Sequence, residues 1–291
     1  MKSIAIHGRK IKASSVIEVQ TLLRQLVSRG VQLSVSSDFL KLNEEMLSEF
    51  SLAVYGLYQD KKKFKAFVSV GGDGTFLETL THVGPLEIPI LGINTGRLGF
   101  LASIAKDQIT VAIDKLLTGH YEIEKRSLIS LSSNQKIFNG FSYALNEFSI
   151  LRKDSSAMIV IKSYLNGDFL NSYWADGLMV STPTGSTGYS LSCGGPILLP
   201  ENENFIITPV SPHNLNIRPL IVPDTSEFTF EVESRTNNFL ISLDSRSQTV
   251  NDSNQMKVQK APFQACLIKV EGVSFVETLR NKLSWGLDKR N

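Results

Sequence analysis

Along the N-terminal third of the chain, apolar positions alternate between two rhythms. Ser3–His7 is a short apolar run closed by the turn-like Gly8-Arg9-Lys10. Val16, Val19, Leu22, Leu23, Leu26 and Val27 then recur at helical spacing, with Ser14 or Ser15 as the N-cap and Gly30 as the stop. Val31–Val35 reads as a strand, and Asn43 stands where it would cap a helix through Met46, Leu47 and Phe50. Phe67–Val70 is a strand without strong alternation, followed by Gly71-Gly72-Asp73-Gly74 and a helix start over Thr75–Leu80. Ile88–Ile93 is a further apolar strand, closed by Asn94-Thr95-Gly96. Strands separated by helices predict βαβ units and a mainly parallel sheet.

Past this point the rhythm changes. A helix is expected around Asp107–Leu117. From Tyr121 to about Phe275 the chain reads as strand after strand, including Ser127–Leu131, Met158–Tyr164, Phe205–Ile207 and Phe228–Val232, with no convincing helix. Asn166-Gly167-Asp168 is a hairpin turn signal between Ile159–Leu165 and Phe169–Tyr173. The segment Phe275–Trp285 returns to helix, with Val276, Leu279 and Leu283 on one face, and is expected to dock on the first domain. The expected fold is therefore an α/β N-terminal domain with a mainly parallel sheet plus an all-β C-terminal domain. The expected boundaries are 1–100, 101–272 and 273–291.

Composition narrows the function classes. Of 291 residues, 42% are hydrophobic and 20% charged, which is globular and excludes collagen, low-complexity disorder and a coiled coil. Thirty Lys and Arg against twenty-eight Asp and Glu leave +2, so no electrostatic footprint points to nucleic acid or an anionic membrane. Cys193 and Cys266 lack metal-ligand spacing and are read as reduced; with no signal-peptide pattern at the start, a cytoplasmic location is expected. Gly177–Pro200 is free of charge, yet its glycines, prolines and hydroxyls are wrong for a membrane helix.

Three segments carry candidate chemistry. In Gly71-Gly72-Asp73-Gly74-Thr75, glycines after a parallel strand let the backbone approach a phosphate, and the following helix N-terminus offers N–H groups and a favourable dipole. The loop lacks the Lys of the common phosphate loop and places a carboxylate among the glycines. Asp73 can accept a proton from an attacking hydroxyl or hold Mg²⁺; an Asp-Gly turn with no catalytic part is the alternative. The second segment, Asp176–Ser192, packs seven Ser and Thr hydroxyls between Ser181 and Ser192, which suits a nucleotide. In it, Tyr189 is placed to stack on a base or ribose and Asp176 to accept from a ribose hydroxyl; a Ser/Thr-rich surface loop is the alternative. The third is Asn146-Glu147, an amide and a carboxylate among apolar residues, suited to a purine edge and a vicinal diol, or to an exposed strand edge. His213 and Arg97 are weaker candidates, for lining a pocket and for contacting phosphate. Lys61–Lys63 and Lys65 read as a solvated face.

Together these segments resemble the NAD kinase family. The match runs through Ser3–Arg9, Gly71–Thr75, Gly92–Phe100, Asn146-Glu147, Asp176–Ser192 with Gly194–Leu198, Thr208–His213, Arg218-Pro219 and Leu279–Gly286, nearly the whole chain in the family's order. Diacylglycerol and sphingosine kinases share the Gly-Gly-Asp-Gly loop alone. The resemblance implies a dinucleotide site between two domains and transfer of the terminal phosphoryl group of ATP, or of polyphosphate, to the 2′-hydroxyl of the adenosine ribose of NAD. It implies Asp73 as general base, with Gly71, Gly72, Gly74 and Thr75 at the phosphates. Asn146, Glu147, Asp176, Thr184, Thr187, Gly188, Tyr189, Ser190, Leu191, Ser192 and Ser211 then line the dinucleotide site. It also implies Mg²⁺ carried with the donor, no protein metal ligand, and a homodimer or homotetramer. Gly188 stands where alanine is common, and Arg246, in Asp244-Ser245-Arg246, where many members carry glutamine, so no role is transferred to it. The competing classes are a lipid kinase, which needs an apolar acyl-chain surface, and a non-catalytic dinucleotide sensor, which binds without consuming ATP.

Overall fold

The computed structural model describes residues 3–57, 59, 61–96, 98–153, 158–270 and 274–286. Arg97 lies outside the described residues. The chain forms two compact units, residues 1–125 with 265–291, and residues 126–264.

The first unit is built on a seven-stranded sheet in the spatial order Ala53–Tyr55, Gln32–Ser36, Ser3–Gly8, Ala66–Gly71, Ile90–Asn94, Ala265–Lys269, Glu122–Arg126. The five N-terminal strands pair in parallel. Both faces are covered, which is why Phe67–Val70 shows no alternation along the chain. Ala66, Val68 and Val70 point into a core beneath the helices Val16–Ser28 and Ile109–Thr118, where Leu22, Leu23, Leu26, Ile113 and Leu116 are buried. Each such fully buried aliphatic side chain contributes roughly 1.5–3 kcal/mol. Phe67 lies in an aromatic cluster with Tyr55 and Phe64, and Phe76 of the helix Asp73–Val83 is fully buried.

The second unit holds two antiparallel six-stranded sheets. One runs Asp168–Ala175, Ile159–Leu165, Phe228–Glu233, Met256–Lys260, Ile129–Ser133, Tyr143–Ala144; the other Leu220–Pro223, Asn204–Val210, Gly177–Ser181, Glu147–Arg152, Asn238–Leu243, Arg246–Asn251. A single core joins them, with Phe148, Ile150, Leu178, Val180, Phe205 and Phe239 facing Ile159, Ile161, Phe228 and Phe230. The Asn166-Gly167 hairpin forms as the dipeptide requires, both residues taking positive φ, 52° and 89°.

The fold class agrees with the sequence reading, but several boundaries do not. The first unit runs to residue 125, not 100, because Ile104 accepts from Asn94 N and donates to Gly92 O of the sheet, and the Ile109–Thr118 helix covers it. The return begins at Ala265 rather than 273: a strand, Ala265–Lys269, enters the parallel sheet before the C-terminal helix. That helix, Phe275–Leu283, sets Phe275 against Phe100 with ring centroids 5.8 Å apart. Its buried residues are Thr278 and Leu279, whereas Val276, expected on the packed face, is exposed. A short helix, Ser37–Leu42, capped by the Ser36 hydroxyl, was not legible. Asn43 does not cap the next helix with its side chain; its amide instead binds Ile11 N, Arg9 O and Phe39 O. Within the β-rich region, Thr184–Thr187 and Tyr189–Ser192 are short helical turns.

One polar cluster lies inside the first unit. His7 Nδ1 meets Ser36 Oγ at 2.8 Å, the His7 and His82 rings lie tilted at 37° with centroids 4.2 Å apart, and Tyr55 meets His82 edge-on. Lys61 is buried here and donates to Leu57 O, so it does not belong to a solvated face. Burial, with the charges of His7 and Lys61, pushes His82 down to about 3. The Glu78 carboxyl is pushed up by burial, but its hydrogen bonds from Arg9 and the nearness of His7 outweigh this and hold it at about 2. His82 stays neutral in the folded chain while the unfolded chain takes up its proton near 6.5, so stability falls as the pH drops below that value. Glu78 adds a further loss only below about 4.5. A His82→Phe variant, which keeps a ring against Tyr55, is expected to lose less thermal stability than the natural chain between about pH 7 and pH 5, measured by melting curves.

Candidate functional site

The Gly71–Thr75 loop closes the strand Ala66–Gly71, and Gly72 is the N-cap of the helix Asp73–Val83. Gly71 is required sterically, since a Cβ there would meet Thr75 Oγ1 at 2.2 Å. At Gly72 and Gly74 nothing lies within 4 Å of a Cβ position, so both residues leave the first helical turn open to solvent. Open main chain at a helix N-terminus is where an anion binds.

Asp73 is not a free carboxylate. Its Oδ2 accepts from Phe100 N at 2.9 Å, and its Oδ1 accepts from Leu101 N at 3.1 Å and Ala102 N at 3.0 Å. The 99–102 segment is held in turn by Asn94 Nδ2 donating to Ala102 O and by Gly99 N donating to Ala102 O. Gly99 is the price of this approach: a Cβ there would sit 1.8 Å from Asp73 Oδ1. A carboxylate oxygen accepts about two donors, so Oδ2 keeps one lone-pair direction for a further hydrogen bond.

In the second unit, Asn146 and Glu147 form a corner entering the strand Glu147–Arg152, and every main-chain group of 145–147 has a partner. Asp244 accepts all three N–H groups: Leu145 N to Oδ2 at 3.0 Å, Asn146 N to Oδ1 at 2.8 Å and Glu147 N to Oδ1 at 3.3 Å. Leu145 O accepts from Thr182 Oγ1, Asn146 O from Thr182 N, and Glu147 O from Asp244 N. The turn Thr184–Thr187 rests on this corner. A Cβ at Gly185 would lie 2.1 Å from Asn146 O, and one at Gly188 would be 3.3 Å from Glu147 Oε2. An alanine at 188 would therefore press on Glu147 without blocking the fold.

The hydroxyl run divides into two sets. Ser186 Oγ donates to Pro183 O and accepts from Leu198 N, stapling the turn to the following apolar segment, and Ser190 Oγ bonds Thr208 Oγ1 at 3.0 Å. Thr184 Oγ1 accepts from Arg126 at 3.2 Å. Ser186, Ser190 and Thr184 are buried and hold the turn. Thr187, Gly188, Tyr189, Leu191 and Ser192 remain accessible, with Tyr189 41% exposed. Asp176 pairs with Arg152, Oδ1 to Nε at 3.0 Å, and its N–H donates to Val210 O. Ser211 follows Val210 with a positive φ of 46°, exposed; His213 is exposed as well.

The corner thus gathers Asn146, Glu147, Thr184 and Gly188, which the sequence singled out, around Thr182 and Asp244, which it did not. The sequence assigned Asp244 no role. Among the described residues no cluster of three His, Cys, Asp or Glu side chains can hold a metal ion, and no helix is long and apolar enough to cross a membrane.

Glu147 Oε2 is buried without a hydrogen-bond partner. Burial, and then the Asp244 charge, push the Glu147 carboxyl up to about 8. Asp244 is itself pushed up by its burial, against the pull of its three N–H donors and Arg246. The donors favour charge on Asp244, and the orphaned Oε2 favours the proton on Glu147.

A parallel α/β unit with a glycine-rich turn at a helix N-terminus, followed by an antiparallel β unit carrying a hydroxyl-rich turn, defines the class. The ATP-NAD kinase N-terminal domain profile matches residues 4–121, and the ATP-NAD kinase C-terminal domain profile matches 145–270. The chain is 48% identical over 290 residues to the NAD kinase of Cytophaga hutchinsonii, covering 99% of each, and 41% identical over 288 residues to that of Bacteroides fragilis, covering 98% and 99%. Its fold matches an NAD kinase from Archaeoglobus fulgidus solved with ATP, at TM-score 0.73 and 26% identity, covering 98% and 99%. It matches yeast NADH kinase solved with NADH at TM-score 0.87 and 21% identity, covering 99% and 89%. The chain belongs to the ATP-NAD kinase family.

Two outcomes follow from this geometry. The unfolded chain releases the Glu147 proton near 4.5 and the folded chain near 8, so stability declines as pH rises through that window and levels off above it. Glu147→Gln, neutral throughout, should abolish that decline, seen as a melting temperature that gains on the natural chain from about pH 5 to pH 8. Gly99→Ala should displace Asp73, lowering the melting temperature by several degrees and weakening protection of the Phe100–Ala102 amides in hydrogen exchange.

Proposed function

We propose that this chain is an NAD kinase, transferring the terminal phosphoryl group of ATP, or of polyphosphate, to the 2′-hydroxyl of the adenosine ribose of NAD. The observation that carries this reading is the Asp73 carboxylate, fixed by three main-chain N–H groups at the mouth of an open glycine turn with one Oδ2 lone pair unspent. Family membership of the whole chain supports it.

In this reading, Gly72, Gly74 and the first helical turn hold the donor phosphates, and Gly71 and Thr75 shape that turn. Asn146 and Glu147 hold the adenosine part. Tyr189 stacks on it, while Thr187, Gly188, Leu191, Ser192, Ser211 and the free oxygen of Asp176 complete the lining. A ribose hydroxyl is a poor nucleophile at neutral pH. Asp73 Oδ2 takes its proton as the new P–O bond forms and the bond to the donor's leaving phosphate breaks, a contribution of about 10²–10⁴-fold for a positioned base. Because the loop brings no lysine, Mg²⁺ belongs to the donor complex and enters with it. The same reading extends to a cytoplasmic homodimer or homotetramer.

Incubation with NAD, Mg²⁺ and either ATP or polyphosphate should yield NADP, read enzymatically. Asp73→Asn should lower kcat by about 10²-fold or more while NAD still binds, since an amide cannot take the proton. Asn also turns an N–H₂ toward the 100–102 amides, so a modest loss of melting temperature should accompany it. Near-normal turnover by that variant would remove Asp73 from the base role.

A further inference from the structure

Asp244 and Arg246 lie at the tip of the hairpin joining Asn238–Leu243 to Arg246–Asn251, with Asp244 at a positive φ of 53°. The sequence assigned this tip no role. In the structure it reaches along the strand entry and grips the chain on both sides of the Tyr143–Ala144 strand. Arg246 donates to Phe141 O and Tyr143 O, and its guanidinium lies over the Phe138 and Tyr143 rings, 5.9 and 5.6 Å from their centroids. Asp244 takes the next three N–H groups, of Leu145, Asn146 and Glu147. Two carbonyls before the corner go to a cation and the three N–H groups of 145–147 to an anion, so the tip matches the polarity of the groups it holds.

We propose that Asp244 is a positioning residue for dinucleotide binding: by clasping the amides of 145–147, with Arg246 holding 141–143, it sets the direction in which Asn146 and Glu147 present their side chains. This rests on the reading that the corner binds the dinucleotide. Three features favour positioning over simple stability. The clasp falls on the two residues that carry the candidate chemistry. Asp244 is within the same buried group as Glu147, whose Oε2 lacks a partner, so the two carboxyls share one electrostatic environment. Arg246 supplies the neighbouring positive charge from the same turn. Three other titratable groups face this pair: Arg246 beside Asp244, Tyr143 within the field of Asp244, and Cys193 within the field of Glu147.

The test uses the full-length protein, with Asp244→Asn and Arg246→Gln. Asn keeps one acceptor oxygen but turns an N–H₂ toward amides that need acceptors, and it removes the negative charge beside Glu147. Expected for Asp244→Asn is a rise in KM and Kd for NAD of about tenfold or more, with a smaller change in kcat. The pH midpoint of NAD binding should move to lower pH, because Glu147 then loses its proton more easily. A merely structural residue would lower the melting temperature and leave that midpoint in place. Arg246→Gln keeps donors for the two carbonyls but loses the charge, and should raise KM for NAD by a few-fold while folding normally. If Asp244→Asn folds with KM and midpoint unchanged, the proposal is overturned. If it does not fold, an unchanged KM in Arg246→Gln overturns it. Should the natural protein convert no NAD with either donor, the functional reading fails. Melting curves against pH, which need no substrate, then decide whether Asp244 governs the Glu147 proton.

Discussion

Main-chain N–H groups that leave a strand or enter a loop must find acceptors, and here the two segments that carry chemistry find theirs in single aspartates. Asp73 accepts from Phe100, Leu101 and Ala102; Asp244 accepts from Leu145, Asn146 and Glu147. A carboxylate suits this task because its oxygens take several donors at once and charge strengthens each bond. The surrounding features follow from it: Gly99 has to lack a side chain for Asp73 to approach, and Thr182 has to offer both its N–H and its hydroxyl to complete the corner.

The same arrangement sets the electrostatics. Asp73 spends three of its acceptor directions on structure and retains one for chemistry. Asp244 likewise gives three acceptor directions to the main chain and leaves its charge beside Glu147, which answers by holding a proton. In the first unit, burial acts in the opposite sense on a base: His82, packed against His7 and next to Lys61, gives its proton up. Both are cases of a low-dielectric interior selecting the neutral form of whichever group lacks a full set of partners.

Much of the architecture was legible because it repeats along the chain. The helix Val16–Ser28 shows its buried stripe in Val19, Leu22, Leu23 and Leu26, and the Asn166-Gly167 turn is a dipeptide whose backbone preference alone makes a hairpin. The helix Ser37–Leu42 was hidden because six residues give too little periodicity to register. Val276 and Lys61 were misplaced for a related reason: exposure depends on what packs opposite, and a pattern along one segment does not report that. The hydroxyl run was recognised as unusual, yet its side chains could not be sorted, since Ser186 and Ser190 differ from Thr187 and Ser192 only in which neighbours lie within reach.

By itself the sequence determined the order of strands and helices, the change from a parallel to an antiparallel architecture, and the glycine-rich, hydroxyl-rich and Asn-Glu segments with their family resemblance. These are local properties, encoded by residues close together in the chain. Tertiary structure alone decided where the first unit ends, that Ala265–Lys269 returns to its sheet, and that Asp244, 97 residues from Glu147, sits against that corner. Such contacts join segments far apart in sequence, and what brings them together is the closing of sheets around a shared core, which no short stretch of chain records.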